Sequence, residues 1–132
     1  ARSYGLSEKF VSEYLRDKKI DPKTVYVSSK WGYTYVADWK VALDDGVKHE
    51  VKDHSTENFL KHLQETQELL GEYPDLYQTH SATFDSGILS DDVAHKALSD
   101  CRKNHGWAIG LSLSSPNQDE VLKEAMKIQV DG

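Results

Sequence analysis

Tyr4, Lys30 and His80 are the side chains of this sequence best suited to act together in proton-transfer chemistry, each in a loop or at the end of a candidate strand. A phenol is a poor acid at neutral pH, and an ammonium beside it stabilises the phenolate and eases proton donation. An imidazole in the same site can orient a carbonyl oxygen or relay the proton. Together the three groups would suit protonation of an alkoxide as hydride arrives from a nicotinamide. On residue types alone this is one assignment among several, since a lysine at a strand end is commonly just a snorkelling surface residue.

Other chemistries find less support. His49-Glu50-Val51-Lys52-Asp53-His54 differs from a helical zinc-binding HExxH because its histidines are five apart rather than four. On a helix that separates them by about 140°, so they would not share one metal, and no metal site is expected. The sequence contains no dinucleotide-binding GxGxxG, no P-loop and no GxSxG elbow. His62 and His95 fall on helices among charged neighbours and are expected on solvated faces. Cys101 falls on an apolar helix face and is expected in the core.

The elements that must position the trio alternate along the chain. A first helix is expected to start at an N-cap Ser7, with Leu6, Phe10, Val11, Tyr14 and Leu15 on its buried face and Asp21-Pro22 as its stop. A strand over 24–29 follows and ends at Lys30, with Trp31-Gly32-Tyr33 behind it. From Trp31 to His54 the pattern is irregular, with a turn at Asp44-Asp45-Gly46 and room for a short hairpin. Ser55 caps a second helix whose stripe is Phe59, Leu60, Leu63, Thr66, Leu69 and Leu70, closed by Gly71. A second strand over 75–80 ends at His80. The third helix is expected to be capped by Ser90, to bury Val93, Ala94, Ala97, Leu98 and Cys101, and to end at Gly106. A third strand over 107–111 leads to Ser112, and Pro116 opens a fourth helix burying Val121, Leu122, Ala125 and Met126. This alternation predicts parallel strands with helical crossovers. Lys30, His80 and Ser112 then sit where strands end, which is where parallel α/β folds bind ligands.

The totals set outer limits. The chain has 132 residues, 38% of them hydrophobic, enough for one domain with a core. Net charge is −6, from 16 basic and 22 acidic residues with no basic block, which argues against a nucleic-acid partner or an anionic membrane surface. No apolar run approaches the ~20 residues of a spanning helix, so no membrane insertion is expected. One cysteine excludes a disulfide within the chain, and the cytoplasm is the expected setting.

Four stretches carry a family resemblance. Ala1-Arg2-Ser3-Tyr4-Gly5-Leu6-Ser7-Glu8 resembles the aldo-keto reductase segment in which Asp-Thr-Ala precedes Tyr-Gly-x-x-Glu. Ser29-Lys30-Trp31-Gly32 resembles the family's lysine at the end of the next strand. Asp75-Leu76-Tyr77-Gln78-Thr79-His80 is similar to the strand that ends in the active-site histidine. Ile109-Gly110-Leu111-Ser112 is similar to the strand whose serine meets the nicotinamide carboxamide. They occur in the family's order and cover nearly the whole chain, roughly the second to fifth β/α units.

The resemblance implies a (β/α)8 TIM barrel and NADPH-dependent reduction of an aldehyde or ketone, without metal or covalent intermediate. Tyr4 would be the general acid, Lys30 would activate it by charge, His80 would orient the carbonyl of a small-molecule substrate, and Ser112 would contact the cofactor. Trp31 and Tyr33, with Tyr35 and Trp39, would either form an aromatic substrate loop or simply pack beneath the long segment between Lys30 and His80. Some relatives on this scaffold bind the nucleotide as regulatory subunits without catalysis, and an inactive truncated reductase is a further alternative.

The sequence also departs from the family. The aspartate that pairs with the lysine would precede Ala1, Leu113 stands where an asparagine is common, and Ser81 replaces a frequent tryptophan. A complete barrel needs ~250 residues, so these residues are expected to form about half of one, a partial barrel domain over 1–132 belonging to a longer parent.

Overall fold

The computed structural model describes residues 4–37 and 42–130. Its elements are α1 (Ser7–Asp17), β1 (Val27–Trp31), β2 (Tyr33–Tyr35), β3 (Glu50–Lys52), α2 (Thr56–Leu70), β4 (Pro74–Ala82), α3 (Asp92–His105), β5 (Ala108–Leu113) and α4 (Gln118–Ala125). β1, β4 and β5 form a three-stranded sheet in that order, parallel throughout, with α2 and α3 as crossovers. This is the predicted α/β alternation, an arc of parallel strands backed by helices.

Strand alternation decides what faces the helices. Ser29 and Trp31 on β1 and Tyr77 and Thr79 on β4 are buried, and with Phe59, Leu98, Cys101 and Trp107 most of them build the core between sheet and helices. Trp31 packs edge-on against Phe59 at 4.9 Å, and Phe59 lies tilted against Tyr77 at 6.2 Å. The opposite face carries the partners one residue over. Lys30 pairs with Gln78, and Gln78 with Gly110. His80 and Ser112 lie two residues further along the same face, at the carboxyl ends of their strands.

The strand limits shift where local turns compete. β1 starts at Val27 rather than Thr24, because Asp21-Pro22 opens a 3-10 turn whose Asp21 side chain accepts from Lys23 N–H at 3.0 Å. Tyr26 is left exposed, and the strand runs on through Lys30 and Trp31. β4 and β5 each extend two residues past the predicted limit. Ser55 and the Gly71 and Gly106 helix ends are as expected. Ser7 is inside α1, which has no side-chain cap. Asp91 caps α3 in place of Ser90, accepting from Val93 and Ala94 N–H, and Asn117 precedes α4 where Pro116 was expected to open it.

Helix faces bring the larger corrections. α1 buries Glu8, Ser12 and Leu15, while Leu6, Phe10, Val11 and Tyr14 are exposed. The buried side is held by polar contacts. Glu8 Oε1 accepts from Ser29 on β1 and, at 3.0 Å, from Thr66 on α2, while Ser12 and Arg16 both donate to the Leu69 carbonyl. Leu60, Val93, Leu122 and Met126, assigned to buried stripes, are exposed. His62 is buried, accepting from Gly32 N–H through Nδ1 at 3.5 Å with Nε2 3.4 Å from the Thr34 hydroxyl. His95 is likewise not solvated, because its Nε2 donates to the Ile88 carbonyl at 2.6 Å. Cys101 is in the core as predicted.

The segment after β1 contains an antiparallel hairpin, with Tyr33 opposite Lys52 and Tyr35 opposite Glu50. Gly32 links it to the sheet at φ +113°, and a Cβ there would lie 2.4 Å from His54 Cδ2. Replacing Gly32 by alanine therefore adds backbone strain and a clash against a buried ring. We expect a loss of about 1–3 kcal/mol in stability. The check is the denaturation midpoint: a clear drop supports the packing described, and an unchanged midpoint contradicts it.

Candidate active site

Tyr4 precedes α1, and the buried Glu8 contacts fasten that helix to β1 and α2. The Tyr4 hydroxyl thereby reaches 3.3 Å from His80 Nε2, with the rings edge to face at 5.6 Å. The two residues are 76 positions apart. Tyr33 also packs on His80, its ring 4.9 Å away and edge-on. Lys52 Nζ sits 5.4 Å over the Tyr33 ring. His80 thus contacts two tyrosines, Tyr4 before α1 and Tyr33 on β2.

Lys30 occupies the same sheet face as His80, and its charge is felt there. The His80 pKa falls from 6.5 to about 4, first through burial and then through the Lys30 ammonium, with the charge of the amino terminus of this sequence, His54 and Lys52 adding in the same direction. The imidazole is therefore neutral at physiological pH. Neutral His80 can donate from one ring nitrogen and accept at the other, as a carbonyl-orienting group requires. No carboxylate among the described residues is in ion-pair contact with Lys30.

Ser112 is close by. Its Oγ accepts from Ser81 N–H at 2.9 Å and keeps its own proton to donate. Two residues earlier on the same strand and face, Gly110 has no side chain, and a Cβ there would lie 3.3 Å from Leu76 Cδ1 and 3.4 Å from Gln78 Cγ, whose side chains fill that space.

Trp31 does not join the site. It is 1% exposed, and alternation along β1 turns it to the helix side, away from Lys30. Tyr33 does face His80, Tyr35 is half-buried on the same strand, and Trp39 lies outside the described residues. Two groups missed from the sequence belong here. His54, noted only for its failed metal spacing, donates from Nε2 to the His80 carbonyl at 3.0 Å. Lys52 donates to the Ser81 carbonyl at 2.8 Å. Their spacing carries no periodic signal, and only the hairpin's return to the sheet brings them to His80. Among the described residues no group of His, Cys, Asp or Glu is placed to hold a metal, and no helix is long and apolar enough to cross a membrane.

Residues 1–130 match the Aldo/keto reductase family. Among solved structures the chain is similar to an aldo-keto reductase of Bacillus halodurans in its holo form, with 24% identity, a TM-score of 0.67, and coverage of 96% of this chain and 37% of that one. It is also similar to the glycerol dehydrogenase of Gluconobacter oxydans, with 22% identity, a TM-score of 0.61, and coverage of 90% and 34%. No curated protein matches it. The chain thus spans about a third of the length of the solved relatives it matches, which fits three strands of a barrel. The family match over nearly the whole length and the shared parallel α/β arc place this chain in the aldo/keto reductase family.

Proposed function

We propose that the protein carrying this chain reduces an aldehyde or ketone to an alcohol with NADPH, and that Tyr4 is the general acid. The observation that carries this reading is the Tyr4 hydroxyl at 3.3 Å from His80 Nε2, on the sheet face that also bears Lys30. A carbonyl oxygen meeting both groups would accept a hydrogen bond from His80 and receive its proton from Tyr4. Lys30 would stabilise the phenolate left behind, and solvent can reprotonate it because Tyr4 is 58% exposed. Ser112 is the described residue best suited to hold a nicotinamide amide, through the hydroxyl proton that its bond to Ser81 leaves available. Bound NADPH would supply the hydride.

Tyr33 would form one wall of the substrate site, edge-on to His80. A small carbonyl compound suits this setting better than nucleic acid, given a net charge of −6 without a basic block. The cytoplasm is the setting we propose, on the single cysteine, which is buried and unpaired.

Two measurements test the reading. NADPH oxidation with a panel of aldehydes and ketones should slow about 100- to 1,000-fold in a Tyr4→Phe variant, with cofactor affinity retained. Equal rates would remove Tyr4 as the acid. If neither protein turned over while NADPH fluorescence still changed on mixing, a regulatory nucleotide-binding role would replace catalysis.

The second measurement concerns His80. Its folded pKa of about 4 lies below the ordinary 6.5, so between those values the unfolded chain binds the proton more readily. Any stability from keeping His80 neutral is present above pH 6.5 and is lost as pH falls toward about 4. NMR titration of the ring should give a midpoint near about 4; a midpoint at 6.5 or above would contradict the site as described.

A further inference from the structure

His80 sits at an irregularity in its strand. The pairing of β4 with β5 shifts register between Thr79 and Ala82, so the break falls on His80 and Ser81. Ser81 has φ +58°, a left-handed conformation that non-glycine residues rarely adopt without being held there. Before the break Tyr77 and Thr79 face the core, and after it Ala82 does. The extra residue resets the alternation and leaves His80 on the face of Lys30 at the very end of the strand.

Three side chains hold this turn, and each takes a different backbone group. Lys52 Nζ donates to the Ser81 carbonyl at 2.8 Å, His54 Nε2 donates to the His80 carbonyl at 3.0 Å, and Ser112 Oγ accepts the Ser81 N–H at 2.9 Å. His54 is itself fixed. Its ring is buried, packs edge-on against Trp31 at 5.5 Å and lies against Gly32, where there is no room for a Cβ. Donation to a carbonyl requires the proton on Nε2, and Nδ1 has no partner among the described residues, so the ring is aimed by this one bond and its packing. Lys52 is aimed by the Tyr33 face below it. Two of the three holding groups thus come from the segment that follows β1 and includes the hairpin.

We propose that Lys52 and His54 are positioning residues for His80, clamping the left-handed turn at Ser81 so that the imidazole meets Tyr4. Neither touches the reacting atoms, and each acts through the backbone of the strand end. The hairpin after β1 is then a brace for the catalytic histidine as well as a substrate wall. The catalytic part of this inference rests on the function proposed above, while the structural part does not.

The test uses the whole protein that carries this chain, with Lys52→Met and His54→Phe as losses and Lys52→Arg and His54→Gln as conservative replacements that keep a donor. Crystal structures should show Ser81 leaving the left-handed region and the His80 ring displaced in the two losses, and both retained in the replacements. Steady-state kinetics should show kcat lowered about 10- to 100-fold in the losses. The KM for NADPH should stay within about two-fold, and the replacements should restore most of the rate. Lys52 is only half-buried, so Lys52→Met remains informative if His54→Phe does not fold. Ser81 and His80 unmoved in the losses would overturn the clamp. Movement of both without loss of kcat would overturn its catalytic importance. A wild-type protein that reduced no carbonyl would count against the proposed function, and the crystal structures would still decide the clamp.

Discussion

The carboxylate of Glu8, buried among hydroxyls, is the contact on which the site depends. It accepts from Ser29 on β1 and from Thr66 on α2, and so joins three elements at one oxygen. A buried carboxylate is costly unless hydrogen-bonded, and once bonded it tolerates little displacement. Glu8, four residues after Tyr4, fixes the first turn of α1 against the strand that carries Lys30. The rest of the buried side of α1 adds Leu15 and the Ser12 and Arg16 bonds to the Leu69 carbonyl, while its large apolar residues Phe10 and Tyr14 face outward. The Glu8 tie links the helix that follows Tyr4 directly to the strand that carries Lys30.

The second constraint is electrostatic. Lys30 and Lys52 both bias the imidazole of His80 toward its neutral form, in a protein that is acidic overall. Burial acts in the same direction. A neutral ring in contact with two tyrosines can hold a carbonyl oxygen without competing as an acid, which would leave proton donation to the phenol. Lys30 would therefore have two effects, stabilising a phenolate and keeping its neighbour uncharged.

The sequence displayed some of this plainly and hid the rest for physical reasons. Parallel alternation was legible because Val, Tyr and Trp runs between capped helices leave few other arrangements. Lys30, His80 and Ser112 were legible as strand-end residues. Helix faces were misjudged on α1 because apolar spacing says which residues share a side, while the tie through Glu8 decides which side is buried. Trp31 was misassigned for want of strand phase: one residue of alternation separates the core from the site. Lys52 and His54 were invisible because their role depends on where a hairpin returns, which no local pattern encodes. The left-handed turn at Ser81 had no signal at all, since serine is not a residue that announces positive φ.

The most direct test of the central claim follows one atom. With NADPH deuterated at the transferable position of its nicotinamide, the whole protein and a reducible carbonyl should give an alcohol carrying deuterium on the former carbonyl carbon, seen by mass spectrometry. Direct transfer at the face bearing Tyr4, Lys30 and His80 predicts full retention of the label in the wild-type protein. Product alcohol without the label, or label lost to water, would contradict the account.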